Sequence, residues 1–124
     1  MKSLPFYFII VAVIFALIGM FYGMYMAGSG DHLLGGAHAH NNLLGFVTMA
    51  LYGFYYRAVP SAISGLATIH FWVALVANIV FPLGIAMAIL GQTPLFAAVG
   101  GGLEIVAMLI FGWTVYRNRA ALTV

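Results

Sequence analysis

Four histidines, two carboxylates and seven methionines stand in this 124-residue sequence with no cysteine, so any metal chemistry must use imidazole, carboxylate or thioether ligands. Disulfides, iron-sulfur clusters, thiolate zinc sites and covalent c-type heme attachment are excluded. The sharpest pattern is His38-Ala39-His40. On a helix, two residues turn the side chain by about 200°, so these imidazoles cannot ligate one iron from the same helix. They can serve two different sites on opposite flanks. The spacing equally admits two polar residues in contact with interfacial water and headgroups.

The remaining candidates are spread along the chain. His70 beside Trp72 reads as a lower candidate for iron or as a hydrogen-bonded core histidine. Glu104 reads as a proton-relay group, a partner to a histidine, a contact to a cofactor edge, or a neutral carboxyl bonded between helices. Asp31 and His32 lie in a glycine-rich segment, GSGDHLLGG, where His32 is, like His70, a lower candidate for the metal, and where both could orient a ligand histidine through its second nitrogen or be solvated loop polarity. Met20, Met24 and Met26 in GMFYGMYMAG offer soft sulfur suited to copper, though nothing else in the sequence supports copper; methionine is also ordinary packing.

The elements that must position these groups are membrane helices. Hydrophobic residues make up 65% of the chain and the mean hydropathy is +1.14. The charged side chains are Lys2, Asp31, Arg57, Glu104, Arg117 and Arg119, whereas a soluble domain spends about a quarter of its residues on charge. Four scattered basic residues make no nucleic-acid surface despite a pI of 9.2. Apolar runs fall at Pro5 to Ala27, His38 to Tyr56, Ile63 to Leu90 and Leu95 to Tyr116. Each can cross about 30 Å of hydrocarbon at about 1.5 Å per residue. Segments such as FIIVAVIFALIGMF are apolar on every face, which excludes a β-barrel. The expectation is an all-α integral membrane four-helix bundle forming one domain over residues 1–124.

In a four-span zigzag, Lys2, Arg57, Arg117 and Arg119 share one side, which the positive-inside rule makes cytoplasmic with both termini. His38 and His40 then start the second span at the outer side. The localisation expected is a bacterial-type inner membrane. The first run has an apolar core of about 20 residues, longer than a signal peptide's, and is read as a span. His40 and His70 are expected to differ in depth by roughly 10 Å. Pro82 predicts a kink in the third span. Gly100, Gly101 and Gly102 offer a surface for close helix or cofactor approach, or reflect ordinary tolerance of glycine. Tyr52, Tyr55, Tyr56, Trp113 and Tyr116 fit interfacial belts.

The segment AHAHNNLLGFVTMALYGFYYRAVP, followed by IHFWVALVANIVFPLGIAM, resembles the tenth and eleventh transmembrane helices of subunit I of the heme-copper oxidases, including their nitric oxide reductase relatives. The matching residues are His38-Ala39-His40, Gly45-Phe46, Tyr55-Tyr56 before Pro60, His70-Phe71-Trp72, and Phe81-Pro82, over about half of the chain. In that family the first histidine of the pair binds the high-spin heme and the second the low-spin heme, and the His-Phe-Trp histidine is not a heme ligand. The resemblance therefore implies His38 and His40 as ligands of heme b with bis-histidine coordination, and electron transfer as the role. No His-His pair for copper and no cross-linked His-Tyr helix is present, so one chain lacks a complete heme-copper centre. The family's twelve helices form three four-helix arcs about a pseudo-threefold axis, each with its histidine-bearing helix second. This chain resembles one such arc, and the expected assembly is a homo-oligomer, a trimer, with heme between protomers and a redox protein or quinone as partner. The competing reading is a non-redox metal or heme carrier, or an assembly subunit of a respiratory complex.

Overall fold

The computed structural model describes residues 2–124, and among them every regular element is helical. Helix α1 spans Leu4–Ser29, α2 Gly35–His40, α3 Met49–Ala58, α4 Gly65–Ile89 and α5 Leu95–Arg117. Three of these, α1, α4 and α5, are long and apolar enough to cross a membrane. The remaining run is continuous but not uniform. Between α2 and α3 the residues Asn41–Thr48 form a π-helical segment, so the second apolar run exists as one rod with a wide-turn middle. π-helical turns are rare and often mark functional sites, because they trade good backbone geometry for a re-aimed side chain. Helix α1 also extends past the apolar run and stops at Gly30, whose φ of 72° ends it with a left-handed cap.

Each helix buries one narrow stripe and leaves the rest apolar and open, as expected of helices facing lipid. On α4 the buried positions are Ala67, His70, Phe71, Ala74, Ala77, Asn78 and Gly84, mostly three or four apart and mostly small. On α5 they are Gly100, Ala107 and Thr114, seven apart. Lipid tails are as apolar as leucine, so such seams are held by close packing and interhelical hydrogen bonds rather than by escape from water. At Gly84 a Cβ would stand 2.3 Å from the Ala97 backbone nitrogen, and at Gly100 2.5 Å from Phe81 Cα. The α4 and α5 backbones therefore touch. Gly102 faces open space; of the three glycines, only Gly100 makes the close backbone approach. Helix α4 continues through Pro82 to Ile89, leaving the Asn78 carbonyl without its helical donor.

The apolar core is concentrated at one end. Leu4 and Phe8 of α1, Met49, Tyr52 and Tyr56 of α3, Phe71 and Ala74 of α4, and Ala107 of α5 pack there. The same end carries Lys2 and Arg57, which line one cleft, and Arg117, which lines another beside Ser61; it is called the basic end below. Tyr52 and Tyr56 are fully buried in this core rather than in an interfacial belt, and Tyr55 is half-buried, whereas Trp113 and Tyr116 are exposed. The belt expectation failed for the α3 tyrosines because Met49, Tyr52, Gly53 and Tyr56 form an i, i+3, i+4, i+7 stripe turned toward the other helices.

Candidate functional site

The two histidines of α2 go to opposite neighbours, as their spacing requires. His38 reaches α1, where its Nε2 lies 2.9 Å from the Gly19 carbonyl oxygen. Gly19 makes room for the neighbouring asparagines, since a Cβ there would collide with the Asn42 side chain, whereas a Cβ on Gly23 would only touch His38 Nε2, at 3.4 Å. His40 turns to α4 and meets the edge of Phe81 at 5.1 Å between ring centroids. Its Nδ1 donates to the Gly36 carbonyl oxygen at 2.7 Å. A carbonyl only accepts, so Nδ1 carries the proton and Nε2 keeps its lone pair. Nδ1 donation to a backbone carbonyl is the usual second contact of a metal-bound histidine. His38 is set differently, with Nε2 engaged by Gly19.

The polar ring around His38 is tight. Asn42 Nδ2 also lies 3.2 Å from His38 Nε2, yet that nitrogen can serve only one partner, donating to Gly19 or accepting from Asn42. Asn41, buried, donates from Nδ2 to the Phe15 carbonyl oxygen at 3.0 Å and to Asn42 Oδ1 at 3.2 Å. These asparagines begin the π-helical segment. The cleft beside His38, lined in part by Gly19, Tyr22, Asn41 and Pro82, holds 170 Å³. Cofactor pockets run to about 300–1,000 Å³, so this cleft by itself is too small to enclose a porphyrin.

The other sequence candidates lie apart from this pair. His32 is exposed, its Nδ1 3.1 Å from the Gly30 carbonyl oxygen, and Asp31 Oδ1 accepts from the Leu33 amide at 3.0 Å; both belong to local turns. His40 packs at the level of Phe81, and His70 is eleven positions earlier on α4, about 16 Å along the helix. The depth separation expected from the sequence is present and larger. Met20 and Met24 face outward, Met24 at 73% exposure, while Met26 is buried. Among the described residues no three His, Asp or Glu side chains come together to hold a metal ion.

A second polar constellation sits in the core. His70, 0% exposed, is bonded through Nδ1 to the Tyr56 hydroxyl at 2.9 Å. Its ring is enclosed by Tyr52 at 4.4 Å, Phe8 at 5.4 Å and Phe111, stacked, at 5.9 Å. His70 Nε2, Asn78 Oδ1, Glu104 Oε1 and the Tyr55 hydroxyl are buried with no hydrogen-bond partner. Asn41 and Asn78 were not among the candidates from sequence, and Tyr52 and Tyr56 were assigned to an interfacial belt. The signal available for the asparagines was their cost in an otherwise apolar run.

In comparisons with known proteins, no family model, no curated protein and no solved structure matches this chain.

Proposed function

We propose that the protein is a membrane b-type heme protein for electron transfer, related to subunit I of the heme-copper oxidases, with His40 as the principal iron ligand. The observation that carries this reading is the His40 ring itself, held by the Gly36 carbonyl and Phe81 with Nε2 left bare. Ligation needs that tautomer, and orienting it before the iron arrives removes part of the ordering cost.

The 170 Å³ cleft beside His38 and the divergence of the two imidazoles support a porphyrin seated between copies of the chain, in a homo-oligomer read as a trimer. His38 would supply the second nitrogen to a neighbouring site through Nδ1, with its Nε2–H kept on the Gly19 carbonyl oxygen. Bound heme supplies one-electron chemistry with little rearrangement of its surroundings. The chain's part is to hold the ligand rings, exclude water with Phe81 and Tyr22, and expose an apolar edge to lipid and to a redox protein or quinone. Lys2, Arg57, Arg117 and Arg119 favour cytoplasmic termini in a bacterial-type inner membrane.

The test is an absorption spectrum of detergent-purified protein made with heme supplied. A bis-histidine Soret and α-band pattern is expected, lost in His40→Ala and kept in His32→Ala. Wild-type protein that stays colourless under heme excess refutes the proposal.

A further inference from the structure

The core near the basic end contains a row of polar groups that helix packing alone does not need. It starts at a cleft of 120 Å³ whose lining includes Ser61, Ser64, Thr114, Arg117 and Asn118. Thr114 is buried, and its side chain lies beside the Tyr56 hydroxyl. Tyr56 is bonded to His70 Nδ1 at 2.9 Å, and Tyr52 packs against the same imidazole. The Tyr52 hydroxyl has only the Met108 sulfur, at 4.0 Å, a weak acceptor. Met108 is one helical turn from Glu104.

The row ends at two oxygens with no donor. Phe81 packs on Gly100; one turn from that contact toward the basic end brings Asn78 on α4 and Glu104 on α5 to the same level of the seam. Asn78 is 2% exposed and spends its Nδ2 on the Ala74 carbonyl oxygen at 2.9 Å. Its Oδ1 and Glu104 Oε1 are buried and unpartnered, and Pro82 deprives the Asn78 backbone carbonyl of a donor as well. A carboxylate placed among such acceptors lacks every group it needs, whereas a carboxylic acid supplies the missing O–H.

We infer that Glu104, opposite Asn78, is a proton-holding site in the α4–α5 seam, loaded from the basic end through Thr114, Tyr56, His70 and Tyr52. One proton enters at the cleft. Tyr56 passes its phenolic proton to His70 Nδ1 and takes the incoming one, and His70 releases its Nε2 proton toward the Tyr52 hydroxyl, which hands on its own to Glu104. Each relay group ends as it began after its ring or hydroxyl turns, and no electron moves. The titratable and charged groups facing this route are Tyr52, Tyr55 and Tyr56 of α3, His70 of α4, and Arg117 of α5 at the entry cleft. The buried face of α1, with Leu4, Phe8, Ala12 and Phe15, contributes none. The site does not depend on the heme reading.

The test uses the full chain in lipid vesicles, followed by infrared difference spectroscopy after a pH jump. A carboxylic-acid carbonyl band absent in Glu104→Gln is expected, falling about tenfold per pH unit above its midpoint. Tyr56→Phe should slow its response at least about tenfold while leaving the final amplitude unchanged, and Tyr55→Phe should not slow it. His70→Gln is the second block on the route, used if Tyr56→Phe loses helical circular dichroism. A Glu104 band that is missing, or that persists at every pH as a permanently neutral structural carboxyl, overturns the inference. So does an unchanged rate in the blocked variant.

Discussion

Replacing Gly100 by alanine should part the α4–α5 seam, and the cost follows from the contact. The added methyl carbon would stand 2.5 Å from Phe81 Cα and 2.6 Å from Phe81 N. Ordinary contact begins near 3.4 Å, so the two backbones must move apart by about 1 Å. These are backbone atoms, and no rotamer change relieves them. A gap of that size forfeits a quarter to a half of each dispersion contact along the seam, and overpacked sites cost about 1–3 kcal/mol. Helix propensity acts in the opposite direction, since alanine is better than glycine by about 1 kcal/mol. Gly102 isolates that term, because nothing lies within 4 Å of its added carbon. Gly100→Ala should therefore lose up to about 2 kcal/mol while Gly102→Ala gains up to about 1 kcal/mol. Reversible unfolding in mixed detergent micelles, read by helical circular dichroism, measures both. Equal stability of the two variants would refute the close backbone approach.

The buried hydroxyls make a similar pair. Tyr56→Phe leaves His70 Nδ1 unbonded and should cost about 1–3 kcal/mol, whereas Tyr55→Phe removes a hydroxyl that already lacks a partner and should be neutral or stabilising in the same assay. Gly45→Ala drives a methyl to 2.7 Å from the Phe15 ring and should destabilise by about 1–3 kcal/mol, and Phe15→Leu should restore part of the loss. The absence of cysteine permits a topology test without background: Ser61→Cys and Thr123→Cys should share one pattern of labelling by an impermeant maleimide in oriented vesicles, and His32→Cys the opposite one.

The helices were legible because hydropathy requires no knowledge of neighbours, and of the four expected spans three, α1, α4 and α5, are long and apolar enough to cross a membrane. Their ends moved by a few residues where local chemistry decides, as at Gly30, which terminates α1 three residues past the last apolar position expected. The divergence of His38 and His40 was also legible, since it is helix geometry alone. What α1 and α4 present to them was not. Gly19 and Phe81 lie far away in sequence, and which nitrogen each ring commits depends on those contacts. The π-helical segment begins at Asn41, whose side chain bonds the Phe15 carbonyl oxygen of α1, a tertiary contact that no window of sequence contains. Tyr52 and Tyr56 were misread because their proximity to Arg57 resembles an interfacial belt, while their spacing with Met49 and Gly53 places them on the inward stripe.

The uneven distribution of the core bears on how the molecule is made. Helices α4 and α5 are adjacent in the chain and fit backbone to backbone across a short turn, so that hairpin can close as soon as both are synthesised, at small loop entropy. The docking surface for Leu4 and Phe8 of α1 is formed by Tyr52 and Tyr56 of α3 and by His70 and Phe71 of α4. Helix α1 can therefore seat first on the span that follows it, through the Gly19–His38 and Phe15–Asn41 bonds, and its pocket closes only when His70 and Phe71 arrive.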